Sequence, residues 1–233
     1  MKRILELAFK SPVFKDYKYS NQPNLTQNSQ VARNAASEGM VLLKNEKNAL
    51  PFSSKNEVVS LFGVTSYDFI TGGTGSGSVN NKHTVSLLEG LNNAGFKIDQ
   101  ELANLYVPFA EKEALAEKER RKSQGILALP QRLPEMEMTD DFIKKQAENS
   151  AIAFLTLGRN SGEGGDRVVD NDFNLGKDEI VLIDKVSKAF HEKGKKVVVI
   201  LNIGGVIETA SWKDKVDAIL LAWQPGQEGG NSD

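Results

Sequence analysis

The chain has 233 residues, enough for one large domain or two small ones, and it contains no cysteine, which excludes disulfide bonds. Hydrophobic residues make up 39% and charged residues 26%, a mixture typical of a folded protein and too apolar for a disordered one. With 29 basic and 31 acidic side chains the formal net charge is -2, so the composition disfavours nucleic-acid binding.

Metal sites and membrane segments are also disfavoured. Only two histidines are present and cysteine is absent, so we expect no zinc site, and any metal would have to be a hard cation bound by carboxylates. The N-terminal 14 residues begin with basic side chains, but Glu6 and Lys10 interrupt their apolar run, which argues against a signal peptide. No segment approaches the roughly 20 apolar residues of a membrane-spanning helix. We therefore expect a cytoplasmic protein with no membrane partner and no nucleic-acid partner.

The N-terminal part of the chain predicts one short helix and a linker. Lys2–Lys10 has an amphipathic pattern but is too short to fold alone, so we infer that it belongs to a structure upstream. Residues 11–28 contain Pro12 and Pro23 and no sustained hydrophobic period, which indicates a linker that runs over a surface.

The remainder of the chain alternates between predicted strands and predicted helices. Continuous apolar runs predict four buried strands, Val58–Phe62, Ala151–Leu157, Val197–Leu201 and Ala218–Trp223, the last of which places Trp223 in the core. Segments with a helical period are Val31–Leu43, Val85–Ala94, Glu101–Arg121, Asp140–Asn149 and Asp178–His191. This alternation predicts an α/β fold with a mostly parallel sheet. Residues 125–137, with Pro130 and Pro134, are compatible with either a lid or a disordered insertion.

The loops that follow the predicted strands are the places to look for a ligand site, because ligands of open parallel sheets bind at the carboxyl ends of the strands. Three of these loops are rich in glycine: Thr71–Gly77, Gly158–Arg167 and Gln224–Gly230. The last of them has no following element to close it, so we expect the chain to be part of a longer polypeptide.

The first glycine loop does not match the known phosphate-binding motifs. A dinucleotide fingerprint starting at Gly73 would need glycine at Ser78, and a Walker loop starting at Gly72 would need lysine at Ser78. What remains is a backbone that can approach a ligand closely, with hydroxyl groups from Thr74, Ser76 and Ser78. The alternative is a flexible turn without a binding role.

The second loop carries the candidate for acid/base chemistry. Glu163 lies between Gly162 and Gly164, where little side-chain bulk would prevent its carboxyl group from reaching across a cleft. An acid at neutral pH needs a pKa raised by partial desolvation or by another carboxylate. The alternatives are an ordinary exposed loop acid and, for Asp166 and Arg167, a local ion pair that pins the loop.

Together these motifs resemble the α/β sandwich domain of glycoside hydrolase family 3, which includes many β-glucosidases and β-xylosidases. The similar segments are Ala32–Asn45 followed by Leu50 and Pro51 at the entry of the domain, the glycine loop Gly72–Gly77, the catalytic loop Ser161–Arg167 and the closing motif Ala222–Gly230. Their order and spacing agree from about Lys2 to Gly230. The resemblance implies a three-layer α/β sandwich with a mostly parallel sheet, as a truncated domain of a larger enzyme.

The resemblance also implies a division of the chain. Residues 1–28 would be the last helix of an upstream barrel and the interdomain linker. Residues 29–233 would be the C-terminal sandwich domain, incomplete at its own C-terminus.

For the site, the resemblance implies retaining hydrolysis of a β-linked glucoside or oligosaccharide at its non-reducing end. The nucleophile would be an aspartate of the upstream barrel, and Glu163 would be the acid/base. Ser76, with Gly75 and Thr74, would bind the sugar, and Asp166 and Arg167 would support the loop. No metal and no cofactor take part.

Nothing in the chain resembles the barrel or its nucleophile motif. Retaining chemistry needs two carboxyl groups about 5 to 5.5 Å apart, so we expect the isolated chain to be inactive. Two other readings stay open at this point: a non-catalytic carbohydrate-binding or structural α/β domain, and a nucleotide-binding flavodoxin-like domain, which fits the layers but fails every phosphate motif.

Overall fold

The structure is a computed structural model, and it describes residues 2–125, 128–161, 163 and 166–232. The strands are β1 (Val41–Asn45), β2 (Val58–Phe62), β3 (Lys97–Ile98), β4 (Ile152–Arg159), β5 (Lys196–Ile203) and β6 (Ala218–Leu221). The α-helices are α1 (Lys2–Lys10), α2 (Leu25–Gly39), α3 (Leu87–Asn93), α4 (Gln100–Gln124), α5 (Asp140–Asn149) and α6 (Lys177–Glu192). Within the described ranges, no helix combines the length and the apolar character needed to cross a membrane.

The six strands form one sheet in the order β1-β6-β5-β4-β2-β3. All neighbouring strands run parallel except β1, which pairs antiparallel with β6 at one edge, where Val41 lies opposite Leu221. The predicted mostly parallel sheet is therefore confirmed.

Helices cover both faces of this sheet, which makes the fold a three-layer α/β sandwich. On one face, side chains of α4, α5 and α6 pack on alternate strand residues such as Leu155 and Val199. On the other face, α3 and the segments that follow β1 and β2 pack on the intervening residues, such as Phe154 and Val198. Burial of both faces explains why these strands have continuous apolar runs instead of an alternating pattern.

Three predicted elements have the bounds that the structure shows. Helix α5 has the predicted bounds, because the hydroxyl group of Thr139 accepts a hydrogen bond from the Phe142 N–H at 3.3 Å and caps its first turn. Helix α1 and strand β2 also have the predicted bounds, and the other predicted strands and helices are found with shifted ends.

The predicted helix Val31–Leu43 is wrong at both ends. Helix α2 begins at Leu25, inside the segment expected to be a linker, because the Asn24 side chain caps it by accepting the Gln27 N–H at 3.0 Å. The helix ends at Gly39, and the next residues form β1. The helical period continues into these residues, but pairing with β6 gives them a strand conformation.

The expectation for Trp223 is also wrong. Strand β6 ends at Leu221, and Trp223 lies beyond it with 43% of its surface exposed and a left-handed backbone, φ +58°. The other tryptophan, Trp212, is buried and donates its indole N–H to the Glu208 carbonyl oxygen at 2.7 Å.

The predicted insertion packs against the domain within its described residues 128–137. The Arg132 guanidinium pairs with the Asp178 carboxylate, with Nη1 and Oδ2 2.8 Å apart. Glu135 is buried and accepts the Val64 N–H at 3.1 Å. An ion pair and a buried hydrogen bond therefore attach this segment to α6 and to the residues after β2.

Candidate functional site

The three glycine-rich loops meet at the carboxyl edge of the sheet. The Thr74 N–H donates to the Ser161 carbonyl oxygen at 2.8 Å, which joins the first loop to the second. The Gly226 N–H donates to the Thr71 carbonyl oxygen at 2.8 Å, and the Ser161 hydroxyl donates to Gln224 Oε1 at 3.1 Å, which joins the third loop to both. The predicted convergence of these loops follows from the parallel order of their strands.

The structure brings Glu163 and Ser76 into direct contact. The Ser76 N–H donates to Glu163 Oε2 at 3.2 Å, and the Ser76 hydroxyl donates to Glu163 Oε1. Both residues are exposed at the surface of the domain. Two predicted site residues that are 87 positions apart therefore form one polar pair that faces solvent.

Gly75 and Thr74 support this pair in different ways. A Cβ atom on Gly75 would lie 2.5 Å from Glu163 Oε2, and Gly75 has φ +64°, so both space and backbone conformation require glycine here. Thr74 contacts the second loop, because its hydroxyl and its N–H both point to the Ser161 carbonyl oxygen.

The contacts with Ser76 lower the pKa of the Glu163 carboxyl group. The hydrogen bond from the Ser76 side chain has the largest effect and that from the Ser76 backbone the next, because both favour the charged form. In this environment the carboxylate can accept a proton from water or a hydroxyl group. To donate a proton, it needs a further influence that raises its pKa, such as a second carboxylate nearby.

The structure pairs Arg167 with a residue other than Asp166, so the alternative of a local Asp166–Arg167 ion pair is wrong. Arg167 donates through Nε to Asp172 Oδ2 at 2.6 Å, and the same carboxylate accepts the Val168 N–H at 3.1 Å. Asp166 is exposed and lines a cavity beside the loop. Gly162 and Gly164, which the sequence analysis placed around Glu163, lie outside the described residues.

A buried ion pair supports the base of the second loop. Arg159, the last residue of β4, pairs with the Glu179 carboxylate through both terminal nitrogens, at 2.6 and 2.8 Å. Its Nε donates to the Asp172 carbonyl oxygen at 2.7 Å, which connects the two ends of the loop. The sequence analysis missed this pair, since the only local signal was a charged residue at the end of an apolar run.

Asn202 is a second residue that the sequence analysis missed. It lies near the end of β5, is fully buried, and bonds to the backbone of Ile70 and of Trp223. A polar side chain inside the apolar run Val197–Ile203 was the available signal, because a buried amide needs specific partners.

A cavity of about 1030 Å³ lies beside the loops. Thr74, Ser161 and Asp166 line one side, and residues 129–132 line another. Over the described part of the chain, no group of three or more His, Asp or Glu side chains is arranged to hold a metal ion.

Comparison with known proteins relates the chain to one family. Residues 40–232 match the model of the glycosyl hydrolase family 3 C-terminal domain. Beta-glucosidase A of Butyrivibrio fibrisolvens is 34% identical over 217 residues, which cover 84% of this chain and 25% of that protein.

Solved structures give the same relationship. Beta-glucosidase 3B from Thermotoga neapolitana, in complex with glucose, superposes with a TM-score of 0.87 and 43% identity, covering 98% of this chain and 31% of that one. A beta-glucosidase from Paenibacillus barengoltzii superposes with a TM-score of 0.82 and 28% identity, covering 92% of this chain and 23% of that one. The chain thus spans about a quarter to a third of the length of these relatives. It belongs to glycoside hydrolase family 3 and contains the C-terminal domain of that family.

Proposed function

We propose that this chain carries the acid/base half of a retaining β-glucosidase site, with Glu163 as the acid/base. The observation that carries the proposal is the contact of Glu163 with Ser76, which places the carboxylate on the rim where the three loops meet. The relatives named β-glucosidase, one of them with glucose bound, support a β-linked glucoside as the substrate.

The proposed reaction needs two carboxyl groups about 5 to 5.5 Å apart. Glu163 supplies one, and an aspartate of an upstream barrel domain supplies the other. The aspartate attacks the anomeric carbon while Glu163 protonates the departing oxygen. Glu163 then removes a proton from the water that hydrolyses the glycosyl-enzyme.

The surroundings of Glu163 favour its second task. Hydrogen bonds from Ser76 lower its pKa, so the carboxylate is ionised and ready to act as a base. In the first step, the negative charge of the barrel aspartate would raise the pKa of Glu163 and make it an acid. Ser76, with Gly75 and Thr74, would meet the sugar hydroxyls, and the pair of Arg167 with Asp172 would support the loop.

The proposal predicts that the purified chain hydrolyses an aryl β-glucoside no faster than buffer, because it lacks the nucleophile. Hydrolysis that is lost on Glu163→Gln would show instead that the chain is a complete enzyme. The positive test is a chimera in which this chain replaces the corresponding segment of the Thermotoga neapolitana enzyme, since the two superpose over 98% of this chain with a TM-score of 0.87.

In an active chimera, Glu163→Gln is expected to lower kcat/KM by about 10²- to 10⁴-fold for a glucoside with a poor leaving group. For a dinitrophenyl glucoside, kcat/KM should fall much less, because the leaving group of this substrate needs no proton in the first step. Azide should restore turnover and give the glucosyl azide, since azide attacks without a base. Asp166→Asn is the matched control on the same loop. Equal losses for the two variants, or no rescue by azide, would contradict the role of Glu163.

A further inference from the structure

Asn202, on β5, forms hydrogen bonds to the segment that follows β2 and to the segment that follows β6. Its Oδ1 accepts the Ile70 N–H at 2.6 Å, and its Nδ2 donates to the Ile70 carbonyl oxygen at 2.9 Å. The same Nδ2 donates to the Trp223 carbonyl oxygen at 2.7 Å. One fully buried amide thus binds the segment after β2 and the segment after β6.

The Ile70 segment has to cross a neighbouring strand to reach Asn202. In the sheet, β4 lies between β2 and β5, and Gly158 of β4 is paired with Asn202 of β5. A Cβ atom on Gly158 would lie 2.5 Å from Thr65 Oγ1 and 3.0 Å from Ile70 Cδ1. Glycine at this position therefore lets the chain after β2 pass over β4 and reach the amide.

The Trp223 segment needs the amide for a different reason. Trp223 has φ +58°, a left-handed conformation that residues other than glycine rarely adopt. Such conformations persist where the surroundings hold them, and they cluster at functional sites. Here the hydrogen bond from Asn202 fixes the Trp223 carbonyl group, and the next residue, Gln224, turns toward the second loop.

The two segments held by Asn202 lead directly to the contacts of the second loop. Four residues after Ile70, the Thr74 N–H binds the Ser161 carbonyl oxygen, and Gln224 Oε1 accepts the Ser161 hydroxyl. Ser161 is two residues before Glu163. Ser76, two residues after Thr74, donates to the Glu163 carboxylate, so the first loop connects Asn202 to Glu163 through described residues.

We propose that Asn202 is a positioning residue for Glu163, acting by setting the places of the first and third loops against the second. The proposal rests on the proposed function of Glu163 for its catalytic meaning. Only an amide fits the pattern, because the site needs one acceptor and two donors in one plane. A carboxylate would place an oxygen against the two carbonyl groups, and an apolar side chain would leave the Ile70 N–H without an acceptor.

The test measures the ionisation of Glu163 in the 233-residue chain by carbon-detected NMR, with Glu163→Gln for assignment. Asn202→Ser is uncharged and too short to reach both Ile70 and Trp223. Ser76→Ala defines the pKa shift that accompanies loss of the contact with Glu163. Ser60→Ala is the control for lost buried hydrogen bonds elsewhere, because Ser60 bonds Ser150 and Asp99 near the opposite edge of the sheet.

We expect Asn202→Ser to raise the pKa of Glu163 by at least half of the shift seen in Ser76→Ala, and Ser60→Ala to leave it unchanged. A folded Asn202→Ser chain with the wild-type pKa of Glu163 would overturn the proposal. An equal shift in Ser60→Ala would overturn it as well, since general loosening would then explain the effect.

If Asn202→Ser does not fold, amide hydrogen exchange of the wild-type chain tests whether Asn202 holds the Ile70 segment. The Ile70 N–H donates to the Asn202 side chain. Exchange of this amide slowed at least 100-fold relative to an open loop supports the proposal, and exchange at the open-loop rate refutes it. None of these measurements uses catalysis, so a failure of Glu163 in the chimera assay and a failure of Asn202 here are separate results.

Discussion

Arg159 and Glu179 form a two-point ion pair in which each side chain is only 2% exposed. Removing one partner of such a pair costs about 3–5 kcal/mol, because the other charge stays buried without compensation. The pair lies where β4 ends and the loop of Glu163 begins. Its energy therefore bears on both the stability of the sheet and the position of the site.

Glu179→Gln is expected to lower the free energy of unfolding by about 3 kcal/mol, because Arg159 then loses its two-point partner and keeps only the Asp172 carboxylate, 3.9 Å from its Nε. Urea unfolding monitored by circular dichroism measures this change. The control is Glu148→Gln, whose partner Lys193 lies 2.8 Å away in a pair that is 58% and 42% exposed. That variant should stay within about 0.5 kcal/mol of wild type. Equal effects would show that the buried pair contributes no more than a surface pair.

Ser76→Ala is expected to raise the pKa of the Glu163 carboxyl group, because the hydrogen bond from the Ser76 side chain is the largest cause of its lowering. The backbone hydrogen bond of residue 76 should retain part of the effect. Ser78→Ala, on the same loop, is the control and should leave the titration unchanged. NMR titration of the Glu163 carboxyl carbon measures both variants, and an unchanged pKa in Ser76→Ala would mean that the contact is absent in solution.

Gly75→Ala is expected to displace Glu163, because the added Cβ would lie 2.5 Å from Oε2 and the backbone has φ +64°. The strain alone should cost about 1–3 kcal/mol. Gly77→Ala is the matched control, since a Cβ atom there meets no atom within 4 Å. Thermal unfolding and the NMR signals of Glu163 should change in the first variant only. Changes in Gly77→Ala without changes in Gly75→Ala would contradict the described geometry of the loop.

Glu135 is expected to make the domain less stable as pH rises from about 5 to 8. Burial, with Glu179 and Asp178 nearby, raises the pKa of Glu135 to about 8, although its bond from Val64 and the charge of Arg132 oppose the rise. Between the unfolded and folded pKa values the folded state holds one more proton. Stability should therefore fall by about 1.4 kcal/mol per pH unit over this window and level off above it.

Glu135→Gln tests this dependence, because the amide has no proton to lose. Urea unfolding at pH 5, 7 and 9 should give a flatter profile for this variant, with its largest gain over wild type at pH 9. Glu137→Gln, an exposed neighbour, should keep the wild-type profile. A wild-type slope in Glu135→Gln would mean that another group binds the proton.

Local patterns in the sequence predicted the elements that depend on local physics. Continuous apolar runs located the inner strands, because a sheet covered on both faces buries every residue in them. The helical period alone located α5, and its predicted bounds agree with the cap that Thr139 forms in the structure. The order of glycine-rich loops after parallel strands placed Thr74, Ser161 and Gln224 at one edge, and the structure joins them there.

The tertiary structure alone decided what depends on partners far away in the chain. Pairing with β6 made a strand of Val41–Asn45 against its helical period, and the bond to Asn202 holds Trp223 in a left-handed turn outside the core. The partner of Arg167 is Asp172 and not its neighbour Asp166, because the fold of the loop places the carboxylate of Asp172 beside it. Apolar burial and end caps leave a signal in a few adjacent residues. Buried polar pairs leave little signal in the local sequence, because they stabilise the protein only when residues from different strands and loops meet.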